Sequence, residues 1–419
     1  MDAFVYRNRK LFCEEVPVAD VAAKVGTPVY LYSQTALENS FRRFDAAFAS
    51  VPHITCYAVK ANSNLAILTL LRALGAGFDV VSGGELMRAL RSGMNPKKIV
   101  FSGVGKTEDE LDLGLHRGIL QFNLESAAEL TMLEARARAI GTTANVGLRV
   151  NPDVDARTHP YIATGTQRHK FGIAQGLARQ LYSRASRSRH LRITGIGCHI
   201  GSQITSVKPF VEAIRRLKEL CLDLRAEGIT IRNLDIGGGL GIAYKDESPP
   251  DPEAYARAVL RVINDVDCTL ILEPGRVIIG NAGILVTKVV LTKRTGNKNF
   301  VVVDAGMNDL IRPSLYSAYH EVQPVALARR DRWKADVVGP ICESGDFLAR
   351  DRLLPVLKAN ELLAIKSAGA YGFVLSSNYN SRPRPAEVLV LGDRFRVIRA
   401  RERFQDLIRG ETDTPFKEY

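Results

Sequence analysis

Between residues 54 and 275, eight short apolar runs each precede a stretch with helical spacing, and this alternation leaves few folds open to the chain. The runs end near Val59 (I-T-C-Y-A-V), Val81 (F-D-V-V), Phe101 (K-I-V-F), Asn123 (I-L-Q-F-N), Val150 (V-G-L-R-V), His199 (I-T-G-I-G-C-H), Ile236 (N-L-D-I) and Leu272 (T-L-I-L). Runs of this length, rich in β-branched and aromatic residues, read as strands. Between them, stretches such as Gly84–Leu90 and Phe210–Leu217 repeat apolar residues at i, i+3 and i+4, the spacing of one helix face. Eight successive β/α units predict an α/β fold, a (β/α)8 barrel of the TIM type. A doubly wound parallel sheet is the alternative, since alternation alone does not prove closure. The longest interval, from Val150 to His199, contains T-H-P-Y-I-A-T-G-T-Q-R-H-K-F-G-I and reads as a functional loop.

Beyond Arg276 the pattern turns to strands joined by tight turns. I-L-V-T-K-V-V-L-T-K-R-T-G-N-K-N-F-V-V-V reads as two strands around Thr295–Lys298, and A-E-V-L-V-L-G-D-R-F-R-V-I-R as two more around Gly392–Asp393. The barrel is therefore expected over 31–275 and a mostly β domain over 276–419. The first 30 residues, with F-V-Y-R and V-Y-L-Y, are expected to add strands to the β domain.

Composition removes several functions. The six cysteines (Cys13, Cys56, Cys198, Cys221, Cys268, Cys342) form no C-x-x-C pair, and the seven histidines no H-x-x-x-H pair, so neither a metal site nor a disulfide framework is expected. No apolar run reaches the ~18 residues of a membrane span, and M-D-A-F-V-Y-R-N-R-K lacks the layout of a secretory leader. A cytoplasmic protein without a membrane partner is the expectation. The net charge is +12, but the densest basic stretch, Arg179–Arg192, carries one aromatic, Tyr182, and no nucleic-acid motif. It reads as a solvated helix and loop, and no nucleic-acid partner is expected. Gly103-Val-Gly-Lys-Thr107 resembles the end of a nucleotide-binding P-loop, yet that pattern requires glycine where Val100 stands.

Chemistry concentrates just after the strands. Lys60 follows the first run directly, an odd place for a residue whose ammonium is costly to bury. His199 closes the sixth run, Gly237-Gly238-Gly239-Leu-Gly241 follows the seventh, and Glu273-Pro-Gly275-Arg276 the eighth. Successive glycines expose backbone N–H groups that suit a phosphate, and barrels often hold phosphate after strands seven and eight. An amine, a flat ring, a phosphate cradle, a carboxylate and a guanidinium together suit pyridoxal 5'-phosphate, with Lys60 as its Schiff-base lysine and Glu273 facing its ring nitrogen. Each residue also has a structural alternative: Lys60 snorkelling at a rim, His199 satisfied in a core, Cys342 as a small buried hydrophobe, Tyr316 and Tyr371 as packing aromatics.

The motifs Y-A-V-K-A-N, H-I-G-S-Q, G-G-G-L-G and E-P-G-R resemble those of the alanine-racemase-fold pyridoxal-phosphate decarboxylases. R-P-S-L-Y-S-A-Y-H (312–320) and C-E-S-G-D (342–346) resemble the diaminopimelate decarboxylase family within that group. The resemblance implies decarboxylation of meso-diaminopimelate to L-lysine by a head-to-tail homodimer. It implies phosphate contacts from Ser202, Gly239, Arg276 and Tyr371, with Gly237, Gly238 and Gly275 beside them, and stacking by His199. Substrate would be held by Arg276, Arg312, Tyr316, Glu343 and Tyr371, with Cys342 as proton donor. Cys342 and Glu343 would enter the partner subunit's site. One departure is His169 before Lys170-Phe-Gly-Ile173, where the family usually has serine. The open alternatives are a decarboxylase of ornithine, arginine or a D-amino acid, an alanine-racemase-type isomerase, which Glu273 at the ring nitrogen disfavours, and a non-catalytic regulatory homologue.

Overall fold

A computed structural model describes residues 3–155, 165 and 170–413 of the 419. The chain divides into two compact units: Leu37–Gly280, and Asn281–Tyr419 together with Met1–Ala36.

In the first unit the eight runs form eight strands: β1 (His53–Ala58), β2 (Gly77–Val80), β3 (Ile99–Phe101), β4 (Gln121–Leu124), β5 (Ala144–Asn151), β6 (Leu191–Gly197), β7 (Asn233–Asp235) and β8 (Thr269–Leu272). Each pairs in parallel with the next. β8 pairs in turn with β1, through Leu270↔His53 and Leu272↔Thr55. The sheet is closed, which excludes the doubly wound alternative.

The helices between strands start where short polar side chains can meet orphan N–H groups. Ser82 accepts from Glu85 N at 3.2 Å ahead of helix Gly83–Arg91, and Ser126 from Glu129 N at 3.1 Å ahead of Ala127–Ile140. Thr107 and Glu110 form a reciprocal capping box on Glu108–Arg117. Such caps contribute about 1 kcal/mol each. Lys106, the lysine of the P-loop look-alike, is buried: its Nζ donates to the Gly103 and Asn123 carbonyls, both at 2.7 Å, and pairs with Glu129 at 3.3 Å. It ties two loops together. In the Val150–His199 interval, Ile173–Ala174 adds a short strand beside β5 and leads into helix Gln175–Ser186. His169 lies outside the described residues. Arg179 and Arg184 of that helix make surface pairs with Asp223 and Glu134.

The barrel interior is split in character. On one side Cys56 of β1, Val100 of β3 and Ile271 of β8 form a fully buried apolar layer. On the other, Gln121, Asn123, Thr194, Asn233 and Asp235 are buried polar residues from β4, β6 and β7.

The second unit is built on a sheet running Phe347–Pro355, Arg332–Val338, Lys298–Val303, Gly283–Thr295, Val29–Ser33, Ala386–Leu391, Arg394–Arg399. Two of its connections are two-residue turns opening with Gly296 (φ 57) and Gly392 (φ 58), where positive φ favours glycine. Val29–Ser33, all buried, runs near the middle of the sheet. Strands Phe4–Arg7, Lys10–Cys13 and Val16–Pro17 make a separate small sheet, followed by helix Val18–Val25. Leu11, Val18 and Val21 pack with Leu31, Val286 and Val388 in one core, each such side chain contributing roughly 1.5–3 kcal/mol. Among the described residues no helix is long and apolar enough to cross a membrane.

Candidate active site

β1 passes into a single 3-10 turn, Val59–Ala61, that carries Lys60 at the C-terminal end of the barrel. Its ammonium forms an ion pair with Asp79, which stands beside Ala58 in the register of β1 and β2. Asp79 is fully buried, and its Oδ1 accepts no hydrogen bond among the described residues. The buried carboxylate offsets the cost of holding a cation there. A second carboxyl, Glu85, has its pKa pushed up to about 7 by burial, against the pull of Lys60.

β6 ends two residues before His199. The Gly238 N–H donates to His199 Nδ1 at 3.2 Å, so the ring carries its proton on Nε2. Burial first, then the charges of Arg149 and Lys60, push its pKa well below the ordinary histidine value. The ring is neutral. Arg149 of β5 is itself held by Glu125 at 3.0 Å and donates to the His199 carbonyl at 3.3 Å. The glycine turn after β7 is packed against backbone. A Cβ on Gly237 would lie 2.6 Å from the Cys198 oxygen, on Gly238 2.0 Å from the Glu273 oxygen, and on Gly239 2.3 Å from the Gly201 oxygen. Arg276, buried at the start of helix Arg276–Ile279 with Gly275 before it, donates to Ser202 Oγ at 3.1 Å and to the Tyr244 hydroxyl. The loops after β6, β7 and β8 thus meet around one arginine.

Glu273 follows β8. Burial, then the neighbouring Asp235 and Asp79, push its pKa well above the ordinary carboxylate range, and it shares a hydrogen bond with Asp235. The Asp235 carboxyl is pushed up to about 6, mainly by burial. Ser102 donates to Glu273 Oε1 at 3.1 Å. Asn123 Nδ2 reaches both Ser102 Oγ at 3.1 Å and Asp235 Oδ2 at 2.8 Å. Behind it, Gln121 Nε2 donates to Asn123 Oδ1 at 2.7 Å, while Gln121 Oε1 accepts from Thr194 at 2.9 Å and Asn233 at 3.1 Å. β4 and β7 are not neighbours, so these bonds cross the barrel. They give Glu273 a buried, hydrogen-bonded support.

Lys60, His199, Ser202, Gly237, Gly238, Gly239, Glu273, Gly275 and Arg276 therefore gather at the C-terminal ends of β1, β6, β7 and β8, four adjacent strands. An amine, a neutral flat ring, a glycine turn beside an arginine and a buried carboxyl fit pyridoxal phosphate. Among the described residues, no cluster of His, Cys, Asp and Glu is arranged to hold a metal ion.

Arg312, Tyr316, Cys342, Glu343 and Tyr371 belong to the β unit. Arg312, nearly buried, opens helix Arg312–Tyr316. Cys342 and Glu343 are exposed on a loop folded around the Asp346 carboxylate, which accepts from Met307 N and Ile341 N, both at 2.7 Å. Ser314 Oγ donates to the Gly345 carbonyl at 2.6 Å, tying this loop to the Arg312 helix. Glu343 accepts from the Tyr379 hydroxyl at 2.6 Å. Tyr371 has φ 56, a conformation a tyrosine rarely adopts.

Asp79, Asn123, Arg149 and Asp235 were given no role by the sequence. A signal existed for several: the polar letters in F-D-V, I-L-Q-F-N and N-L-D interrupt apolar runs at alternate positions, which is one face of a strand.

A family profile described as "Pyridoxal-dependent decarboxylase, pyridoxal binding domain" matches residues 34–280. The chain is 52% identical to the diaminopimelate decarboxylase of Pseudomonas aeruginosa, over 99% of this chain and 100% of that one. It resembles the crystal structure of the Helicobacter pylori diaminopimelate decarboxylase complexed with L-lysine, with a TM-score of 0.91, 42% identity and coverage of 93% of this chain and 98% of that one. The diaminopimelate decarboxylase from M. jannaschii in complex with L-lysine matches with a TM-score of 0.94 and 38% identity, over 99% and 98%. On the barrel, on the residues gathered at its mouth and on these likenesses together, the chain belongs to the pyridoxal-dependent decarboxylases and, among them, to the diaminopimelate decarboxylase family.

Proposed function

We propose that this chain is a carboxy-lyase that removes one carboxylate of meso-2,6-diaminopimelate as carbon dioxide and releases L-lysine, with pyridoxal phosphate as cofactor. The observation that carries the reading is the pairing of Lys60 with the buried Glu273 at the ends of the neighbouring strands β1 and β8 of one barrel mouth. When bound, pyridoxal phosphate supplies a sink for the electron pair that the departing carboxylate leaves behind.

Most cofactor contacts come from the barrel and most substrate contacts from the β part, with Arg276 and Tyr371 serving both. Lys60 anchors the cofactor covalently, and its pairing with Asp79 keeps the amine at the mouth when it is released. Glu273 keeps a proton on the ring nitrogen. His199, neutral, would lie against the ring without adding charge. Ser202, Gly237, Gly238, Gly239, Gly275, Arg276 and Tyr371 hold the phosphate.

At the far end of the substrate, Arg312 and Arg276 suit its second carboxylate as bidentate donors, Glu343 its ammonium, and Tyr316 and Tyr371 line the path. Cys342 Sγ gives a proton to the carbon that has lost carbon dioxide. Cys342 and Glu343 serve the site of a second copy. Their exposure on their own chain, on a loop whose shape Asp346 fixes internally, supports a homodimer with shared sites. We place this reaction in the cytoplasm.

Release of carbon dioxide from meso-diaminopimelate by purified protein with added cofactor is the expected result. Release from ornithine in its place would overturn the substrate. Lys60→Ala should abolish borohydride-trapped cofactor, and trapping at another lysine would overturn that role.

A further inference from the structure

Arg312 shares the second carboxylate of the substrate with Arg276 in the proposed reaction, and a buried histidine engages its guanidinium. Arg312 Nε donates to His320 Nε2 at 3.3 Å. His320 is fully buried, and its other ring nitrogen, Nδ1, lies 2.8 Å from the Lys366 carbonyl oxygen. A carbonyl can only accept, so Nδ1 carries the proton. An arginine Nε can only donate, so Nε2 offers its lone pair. Both bonds are satisfied together only by the neutral Nδ1–H form of the ring.

The histidine is fixed from both sides. Val322–Pro324 pairs with Leu362–Ile365, and Lys366 N donates to the Glu321 carbonyl at 2.8 Å, which sets the distance between His320 and its acceptor. Arg352 donates to the His320 carbonyl at 3.3 Å while its guanidinium stacks 3.6 Å from the Tyr319 ring. The Tyr316 ring centroid lies 5.8 Å from the Arg312 guanidinium carbon. With Nε engaged by His320, a carboxylate can be met bidentately only along the Nη1–Nη2 edge of Arg312.

We propose that His320 is a positioning residue for substrate selection: as a neutral acceptor it turns the Nη1–Nη2 edge of Arg312 towards the second carboxylate of the substrate. The inference rests on the reading that Arg312 grips that carboxylate. L-Lysine retains this group after decarboxylation, and 1,5-diaminopentane lacks it.

His320→Leu removes the acceptor. His320→Gln keeps one, since its Oε1 can accept from Arg312 while its Nε2 donates to the Lys366 carbonyl. In holoenzyme, His320→Leu should raise both KM for diaminopimelate and the inhibition constant of L-lysine about tenfold, the worth of one orienting hydrogen bond. Inhibition by 1,5-diaminopentane should stay unchanged, and His320→Gln should recover most of the loss. Equal weakening of both inhibitors, or none of either, would overturn the role of His320. If the unaltered enzyme binds L-lysine no better than 1,5-diaminopentane, the Arg312 reading falls first and this inference with it. A nitrogen NMR spectrum of histidine-labelled wild-type protein, assigned by loss of the signal in His320→Gln, should show Nδ1 protonated and Nε2 bare. A proton on Nε2 would refute the arrangement even if the leucine variant does not fold.

Discussion

Lys60 and Glu273 sit in the barrel mouth with their protein partners already in place, whereas Cys342 and Glu343 stand exposed on a loop of the β unit. Around Glu273 the supporting bonds run through Ser102, Asn123 and Asp235 deep into the barrel, so its carboxyl is held by residues from three other strands or strand ends. Around Cys342 the support stops at the backbone: Asp346 fixes the course of the loop and leaves the thiol facing outward. Stability and chemistry are therefore entangled in the barrel and separable in the loop. A change at the mouth of the barrel should cost both, and a change in the loop should cost activity alone.

The largest contrast should come from two glycines. Gly238→Ala places a Cβ 2.0 Å from the Glu273 carbonyl oxygen, a backbone atom with no room to retreat. A loss of about 3 kcal/mol or more in denaturant stability, with loss of cofactor absorbance, is expected. Gly345→Ala in the C-E-S-G-D loop meets only a Glu343 side-chain carbon at 3.7 Å and should shift stability by less than about 0.5 kcal/mol. Similar losses in the two variants would break the comparison. Next in size, Cys342→Ala should lower kcat by about 10²-fold or more while leaving the melting midpoint and cofactor absorbance in place. A parallel drop in midpoint would show that the thiol is structural.

Asp309 tests whether the β unit holds a buried acid of its own. Burial pushes its carboxyl up to about 7, although Gly306 N donates to it at 2.9 Å. The folded form keeps the proton where the unfolded chain, with a pKa near 4, has released it. Its stabilisation is therefore complete below about pH 4 and is lost as pH rises towards 7, an effect on the order of 2 kcal/mol or more. Melts between pH 4 and 7 should fall less steeply with pH in Asp309→Asn than in the wild type. An unchanged slope in the variant would assign the effect elsewhere. The smallest effect belongs to Tyr379→Phe, which deletes an exposed bond to Glu343. A rise in KM of no more than about threefold is expected, with no measurable change in stability.

The eight strands were legible because apolar runs of this length, separated by helical spacing, have few other readings. The main parts of the mouth were legible because Lys60, His199, the glycine turn and Glu273 sit at strand ends, where a polar residue stands out against what precedes it. Ser82 and Ser126 are also polar residues just after strands, yet their hydroxyls cap helices. Asp79, Asn123 and Asp235 were single polar letters inside strands. Their meaning depends on which strand lies opposite, and that is set only when β8 closes on β1. His320 ends a visible motif, but its second partner is 46 residues further on, brought near by a strand pairing the motif does not encode.

Gln121 draws a wider consequence from the barrel interior. A Cβ on Gly147 or on Gly195 would lie 2.4 Å from its amide, so two neighbouring strands give up their side chains to house one glutamine. Shortening Gln121 alone would take a partner from Asn233 Nδ2 and from Asn123 Oδ1, and enlarging either glycine alone would collide with it. The three positions form an epistatic block: each single step away is unfavourable, while a concerted replacement can be neutral. Related barrels should therefore keep the trio intact or exchange it whole, and a designer who wants an apolar interior here must change all three in one move.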